Sequence, residues 1–177
     1  MNIKKLILFS TIIGLSLGLS SCSSFNSKQL AQTDEEIADA HFQEIIKAIG
    51  KKDKEGLKKM FSPEALKEAK DIDDGIEYIM QFYKGKIKSK DGTVVTSDSK
   101  NNGEKTSELE CYYTVTTDVV TYIVFFIDQV IDTKNPDNVG LYMLQIIKLS
   151  DEEKEFDWGG DKTRCAGIYR PAETEKK

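Results

Sequence analysis

Glu108-Leu109-Glu110-Cys111-Tyr112-Tyr113-Thr114-Val115-Thr116-Thr117 decides the fold. Leu109, Cys111, Tyr113 and Val115 fall on one face of an extended chain, and Glu110, Tyr112 and Thr114 fall on the other. The period of two predicts a strand with one face against a core. Residues 119–131 follow (VVTYIVFFIDQVI), apolar at both parities in the middle, as a central strand covered on both sides would be. Asn135-Pro136-Asp137-Asn138 breaks the chain, and residues 139–149 predict a further strand of similar length. Long neighbouring strands joined by short turns imply an antiparallel sheet.

Upstream of this block the signals become weaker. Asn101-Asn102-Gly103 is a turn, and Asp91-Gly92 is another good turn dipeptide. With both breaks in place, residues 87–89 and 94–96 are expected to be two short strands. Further back the period becomes helical. Thr33-Asp34-Glu35-Glu36 is a capping box, with Ile37, His41, Ile45 and Ile49 at a spacing of four and Phe42 and Ile46 widening the stripe. Gly50 is the expected left-handed stop. Asp53 should cap a second, shorter helix, Ser62-Pro63 should start a third with proline in the first turn, and a fourth should run from about Asp71 or Asp73 to Tyr83 and end at Gly85. Helices first and strands after is the pattern of an α+β domain whose helices lie on one face of a bent antiparallel sheet.

The chain opens with Lys4 and Lys5 and an uncharged, mostly apolar run over residues 6–19. As a helix that run would rise only about 21 Å, short of a hydrocarbon core of about 30 Å, so it reads as the h-region of a signal peptide. Leu19-Ser20-Ser21-Cys22 follows and resembles the lipobox of bacterial lipoproteins. The resemblance implies a diacylglycerol on the sulfur of Cys22 and cleavage after residue 21. The remaining alternative is an ordinary secretory signal with a chance cysteine. On the lipoprotein reading residues 1–21 are the signal, 22–33 the lipidated end and a tether, 34–171 one domain, and 172–177 a frayed tail. The protein would sit on the cell membrane, lipid-anchored and facing outward. Without residues 1–21 the chain carries 23 Lys and Arg against 30 Asp and Glu, a net −7, which disfavours nucleic acid as a partner.

The segments Thr33-Asp34-Glu35-Glu36, residues 52–57, Phe61-Ser62, residues 136–142 and Gly167-Ile168-Tyr169 together resemble an uncharacterised family of Gram-positive lipoproteins, a domain of unknown function, over residues 34–170. The resemblance implies a cone-shaped fold similar to nuclear transport factor 2, in which helices close one side of a curved sheet and leave a pocket. It brings no catalytic residue.

Motifs for chemistry are few. Asp71-Ile72-Asp73-Asp74-Gly75 is one residue short of a calcium-loop register, and Phe82 stands where a bidentate Glu belongs, so it reads as the acidic first turn of a helix. One histidine in the whole chain excludes multi-histidine metal sites, and no cofactor or metal is expected. His41 lies on the apolar edge of the first helix, either as a hydrogen-bonded core residue or as a general base. Tyr113, Asp128 and Trp158 are its candidate neighbours in a pocket, on fold analogy. Cys111 and Cys165 remain once Cys22 is lipidated, and they would be either a disulfide or two separate thiols. Phe156, Trp158, Ile168 and Tyr169 should fold back across the sheet, with residues 151–155 an exposed charged turn. Two roles stay open: a surface-tethered module that binds a small ligand or a protein partner, and an unrecognised enzyme of the same shape using His41 or an acidic residue as base.

Overall fold

A computed structural model of the chain describes residues 32–171. The expected signal peptide, Cys22, most of the expected tether and residues 172–177 lie outside the described residues. Among the described residues no helix is long and apolar enough to cross a membrane.

Four helices precede a five-stranded sheet: α1 (Asp34–Lys51), α2 (Lys54–Lys58), α3 (Pro63–Glu68) and α4 (Ile72–Phe82), then β1 (Ile87–Asn101), β2 (Glu104–Thr117), β3 (Thr121–Asp132) and β4 (Gly140–Lys148). A short helix α5 (Glu152–Glu155) and a two-residue strand β5 (Gly167–Ile168) complete the order. The sheet is open, in the order β1-β2-β3-β4-β5. Its first three pairings are antiparallel, and β5 adds parallel to β4. The architecture is therefore α+β, as the order of periods implies.

The helix starts are set by local chemistry. Both halves of the capping box form, the Glu36 N–H donating to Thr33 Oγ1 and the Thr33 N–H to the Glu36 carboxylate. Asp53 and Ser62 cap α2 and α3 through Gly56 N–H and Ala65 N–H. The stop of α1 is not Gly50, which stays helical. Lys52 takes the left-handed conformation (φ 55°), its N–H bonded to the Ile49 carbonyl, while the Asp53 N–H reaches the Ala48 carbonyl. Asp53 thus closes one helix and caps the next, which fixes the turn two residues later than the glycine suggests.

A second correction concerns β1. Asp91-Gly92 is not a turn but the middle of one continuous strand of 15 residues. Gly92 pairs with Tyr113 across β1 and β2, and a Cβ at Gly92 would come within 2.5 Å of the Tyr113 ring. The glycine is there to admit an aromatic ring. The turn at Asn102-Gly103 does form, with positive φ at both residues (51° and 88°), as a two-residue hairpin requires.

The sheet separates two apolar clusters. Toward the helices, Phe42, Ile45, Leu57, Ile76 and Ile79 pack on Leu109, Cys111, Tyr113, Val115, Val124, Phe126 and Leu144. On the other face Ile123, Phe125, Ile127, Met143 and Ile147 are covered by Phe156, Tyr112 and Tyr169. The C-terminal segment does fold back, and it places β5 beside β4. The charged stretch 151–155 is only partly an exposed turn. Glu155 is buried, and its carboxylate accepts a hydrogen bond from the Tyr169 hydroxyl.

Candidate functional site

α1 directs the His41 side chain toward the far end of β3, where its Nδ1 is bonded to Oδ2 of Asp128. Asp128 is 1 % exposed and His41 36 %, so the pair joins a buried carboxylate to a half-buried ring. Two irregularities in the sheet frame Asp128. The β2–β3 register slips between Ser107 and Glu108, leaving Val130 as the extra residue on β3, and the β3–β4 register slips beside Asp128, leaving Tyr142 as the extra residue on β4. Bulges of this kind re-aim the side chains next to them.

The pair lies in the wall of a cleft of about 550 Å³. Its apolar lining comes from Met60, Phe61, Pro63, Leu66, Val139 and Leu141, and its remaining charges are Glu44 and Lys59. The α2–α3 connection is laced to the start of β4. The Leu141 N–H donates to the Met60 carbonyl and the Ser62 N–H to the Leu141 carbonyl, both at 2.9 Å. Gly140 permits the approach: its φ is +124°, and a Cβ there would sit 3.0 Å from the Met60 oxygen and the Ser62 nitrogen.

The bond to Asp128 holds the His41 pKa above its ordinary value; partial burial opposes this, and the charges of Asp128 and Glu44 add to it. Asp128 also fixes the tautomer. A carboxylate accepts from Nδ1–H, so Nε2, on the opposite side of the ring, is a lone pair when His41 is neutral and a donor when it is protonated.

Of the four residues grouped from sequence, only His41 and Asp128 meet in this cleft. Tyr113 shares the helix face of the sheet, but its ring stacks on Phe42 (4.4 Å between centroids) and its hydroxyl donates to Asp39 at 2.9 Å. Burial pushes the Tyr113 hydroxyl pKa upward, and the bond to Asp39 adds to it. Trp158 lies across the sheet, stacked on Tyr112 and edge-on to Phe125, because the segment that follows α5 crosses the opposite face. Cys111 and Cys165 are free thiols, the first in the cluster under the helices and the second packed against the cluster on the other face. Lys59, Glu44 and the walls at Met60, Phe61 and Val139 were not legible as site residues, because nothing in the sequence announces that residues 59–66 meet 139–141. Among the described residues no group of three or more His, Cys, Asp or Glu could hold a metal ion.

No curated protein matches the chain. Residues 44–149 match a family model described as Domain of unknown function (DUF5104), a stretch that includes Glu44, Lys59, both walls of the cleft and Asp128. More than half of the 177 residues are matched, and the chain belongs to that family.

Proposed function

We propose that this is a lipoprotein anchored through Cys22 on the outer face of the cell membrane, whose domain binds a small ligand in the cleft at His41 and Asp128. The lipobox-like residues 19–22 support the anchor. A helical layer on one face of an antiparallel sheet supports a cone similar to nuclear transport factor 2, the cleft lying where helices and sheet part. The observation that carries the reading is the placement of a buried carboxylate behind a half-exposed imidazole in an apolar wall. Apolar side chains would fill that position at no loss of stability, so a paired charge kept at a cleft points to binding. A protein partner on the exposed part of the sheet has no comparable feature in its favour.

The fixed tautomer favours one second reading, a pocket enzyme in which His41 Nε2 moves a proton on the bound molecule while Asp128 orients the ring. The two readings separate after the ligand is known, since His41→Gln would then keep the ligand and lose its turnover. A native mass spectrum of protein purified from its own host tests the cleft itself. Val139 is 41 % exposed, so Val139→Trp can block the opening without repacking the core. A retained small-molecule mass that disappears in Val139→Trp is the expected result. Bare protein in both spectra would overturn the reading.

A further inference from the structure

Resting on that reading, we infer that the ligand of the cleft is a small monocarboxylate with an apolar body, its oxygens meeting His41 Nε2 and Lys59 Nζ and its body lying on Met60, Phe61, Leu66, Val139 and Leu141. The apolar groups make up most of the lining, so the body of the ligand must itself shed water there. The polar groups decide the head. Asp128 is engaged by His41, which leaves His41 Nε2 and Lys59 as the donors of the cleft and Glu44 as its other acceptor. Lys59 makes no ion pair among the described residues, whereas Lys54, Lys58, Lys67 and Lys90 each have a carboxylate partner.

Net charge sets the limit on the head group. Counted over α1, the α2–α3 connection and β3, the groups facing the cleft are His41, Lys59, Glu44 and Asp128, which sum to zero when the ring is protonated and to −1 when it is neutral. The lining from α3 and from the chain around β4 is Pro63, Leu66, Val139, Gly140 and Leu141, with no titratable side chain. A site with no net positive charge does not balance a phosphate dianion, and Glu44 in the lining repels a second negative charge. What it offers is two charge-assisted donors, His41 Nε2 and Lys59 Nζ, beside an apolar wall, which fit the two oxygens of one carboxylate. The raised His41 pKa adds to this by enlarging the fraction in the donor form at neutral pH.

His41 is the sole histidine of the chain, so its ring resonances report the site without mutation. Octanoate, octanol and octylamine, each below its micelle or solubility limit, share one body and differ in head charge. Octanoate should bind tightest, by about tenfold over octanol. It should also raise the His41 titration midpoint and lose affinity as pH rises through that midpoint, because anion binding and ring protonation are reciprocal. In His41→Gln the octanoate advantage should shrink and its pH dependence should vanish while octanol binding persists. Equal binding of octanoate and octanol with an unmoved His41 midpoint would overturn the proposal, and so would tightest binding of octylamine or no binding of any of the three. None of these results bears on the native spectrum, where a retained mass of another class would keep the cleft and reject the carboxylate.

Discussion

Gly92 and Tyr113 face each other across the first two strands, the glycine supplying the space that the ring occupies. Gly92 does not have a positive φ, unlike five other glycines, so nothing in its backbone requires glycine. Only the ring does. A glycine inside a strand ordinarily costs roughly 0.5–1 kcal/mol relative to alanine, and Gly92→Ala would be expected to stabilise an average strand. Here it should destabilise by about 1–3 kcal/mol, because Tyr113 is 2 % exposed and packed between Phe42 and Phe126. Urea unfolding of Gly92→Ala and of Gly92→Ala with Tyr113→Leu checks this: the second change should recover part of the loss. A neutral or stabilising single variant would show that the ring has room to move.

The His41–Asp128 pair should respond asymmetrically to removal of either member. His41→Ala strands a carboxylate that is 1 % exposed and should cost about 2–3 kcal/mol at pH 7. Asp128→Asn keeps an oxygen on Nδ1 and leaves a ring that water can reach, so it should cost under about 1 kcal/mol. Equal losses in thermal unfolding would contradict this picture of the site.

The pair also sets a pH dependence. The folded pKa of His41 lies above the unfolded value near 6.5, so its contribution is fully present below about pH 6 and fades as pH rises through the folded value. Water around the half-exposed ring screens it, and the change should stay below about 1 kcal/mol. Comparing wild type with His41→Gln between pH 5.5 and about 8.5 isolates the effect. A wild-type stability that rises relative to the variant over this window would reverse the assignment.

The two cysteines should be separate and sluggish. Burial pushes the Cys165 thiol up to about 11 and the Cys111 thiol further, and neighbouring carboxylates add to both shifts. At pH 8 iodoacetamide should label neither quickly in the folded protein, and should label both after unfolding without reductant. A requirement for reductant would mean that a bond joins them, and the clusters around them would have to be redrawn.

Cys22→Ala tests the anchor. Wild type expressed in a bacterial host should enter the detergent phase on partitioning, and the variant should remain in the aqueous phase or uncleaved. Identical partitioning of the two would remove the lipid from the account.

What the sequence discloses follows the reach of each interaction. The capping box at Thr33, the Ser62-Pro63 start, the Asn102-Gly103 turn and the alternation from Leu109 to Val115 involve near neighbours, and each is present as its residues suggest. The Asp91-Gly92 dipeptide has the same local signature as a turn, but its conformation is decided by Tyr113 on another strand. His41 and Asp128 are 87 residues apart, and no spacing rule links them. Trp158 shows the opposite failure: its apolarity was evident, but which face of the sheet it would cover depended on the path of residues 156–167. The family match confirms kinship and adds no chemistry, which is why the site has to be argued from its geometry.

The two-residue strand β5 is the last strand in chain order and yet touches α3 and α4 from the helical half as well as β4. Gly167 lies against Ala69 and Ile72, Ile168 against Gly75, and the pair is bonded to Met143 and Leu144 in β4. A nascent chain lacking these residues already owns its whole meander, with the α2–α3 connection tied to β4 by the Met60–Leu141 and Ser62–Leu141 bonds, but the end of α3 and the start of α4 lack the packing that Gly167 and Ile168 supply. The protein therefore has a late latch: a chain that stops short of Gly167 should stay open to proteases along α3, α4 and the outer edge of β4, and a chain that passes it should close.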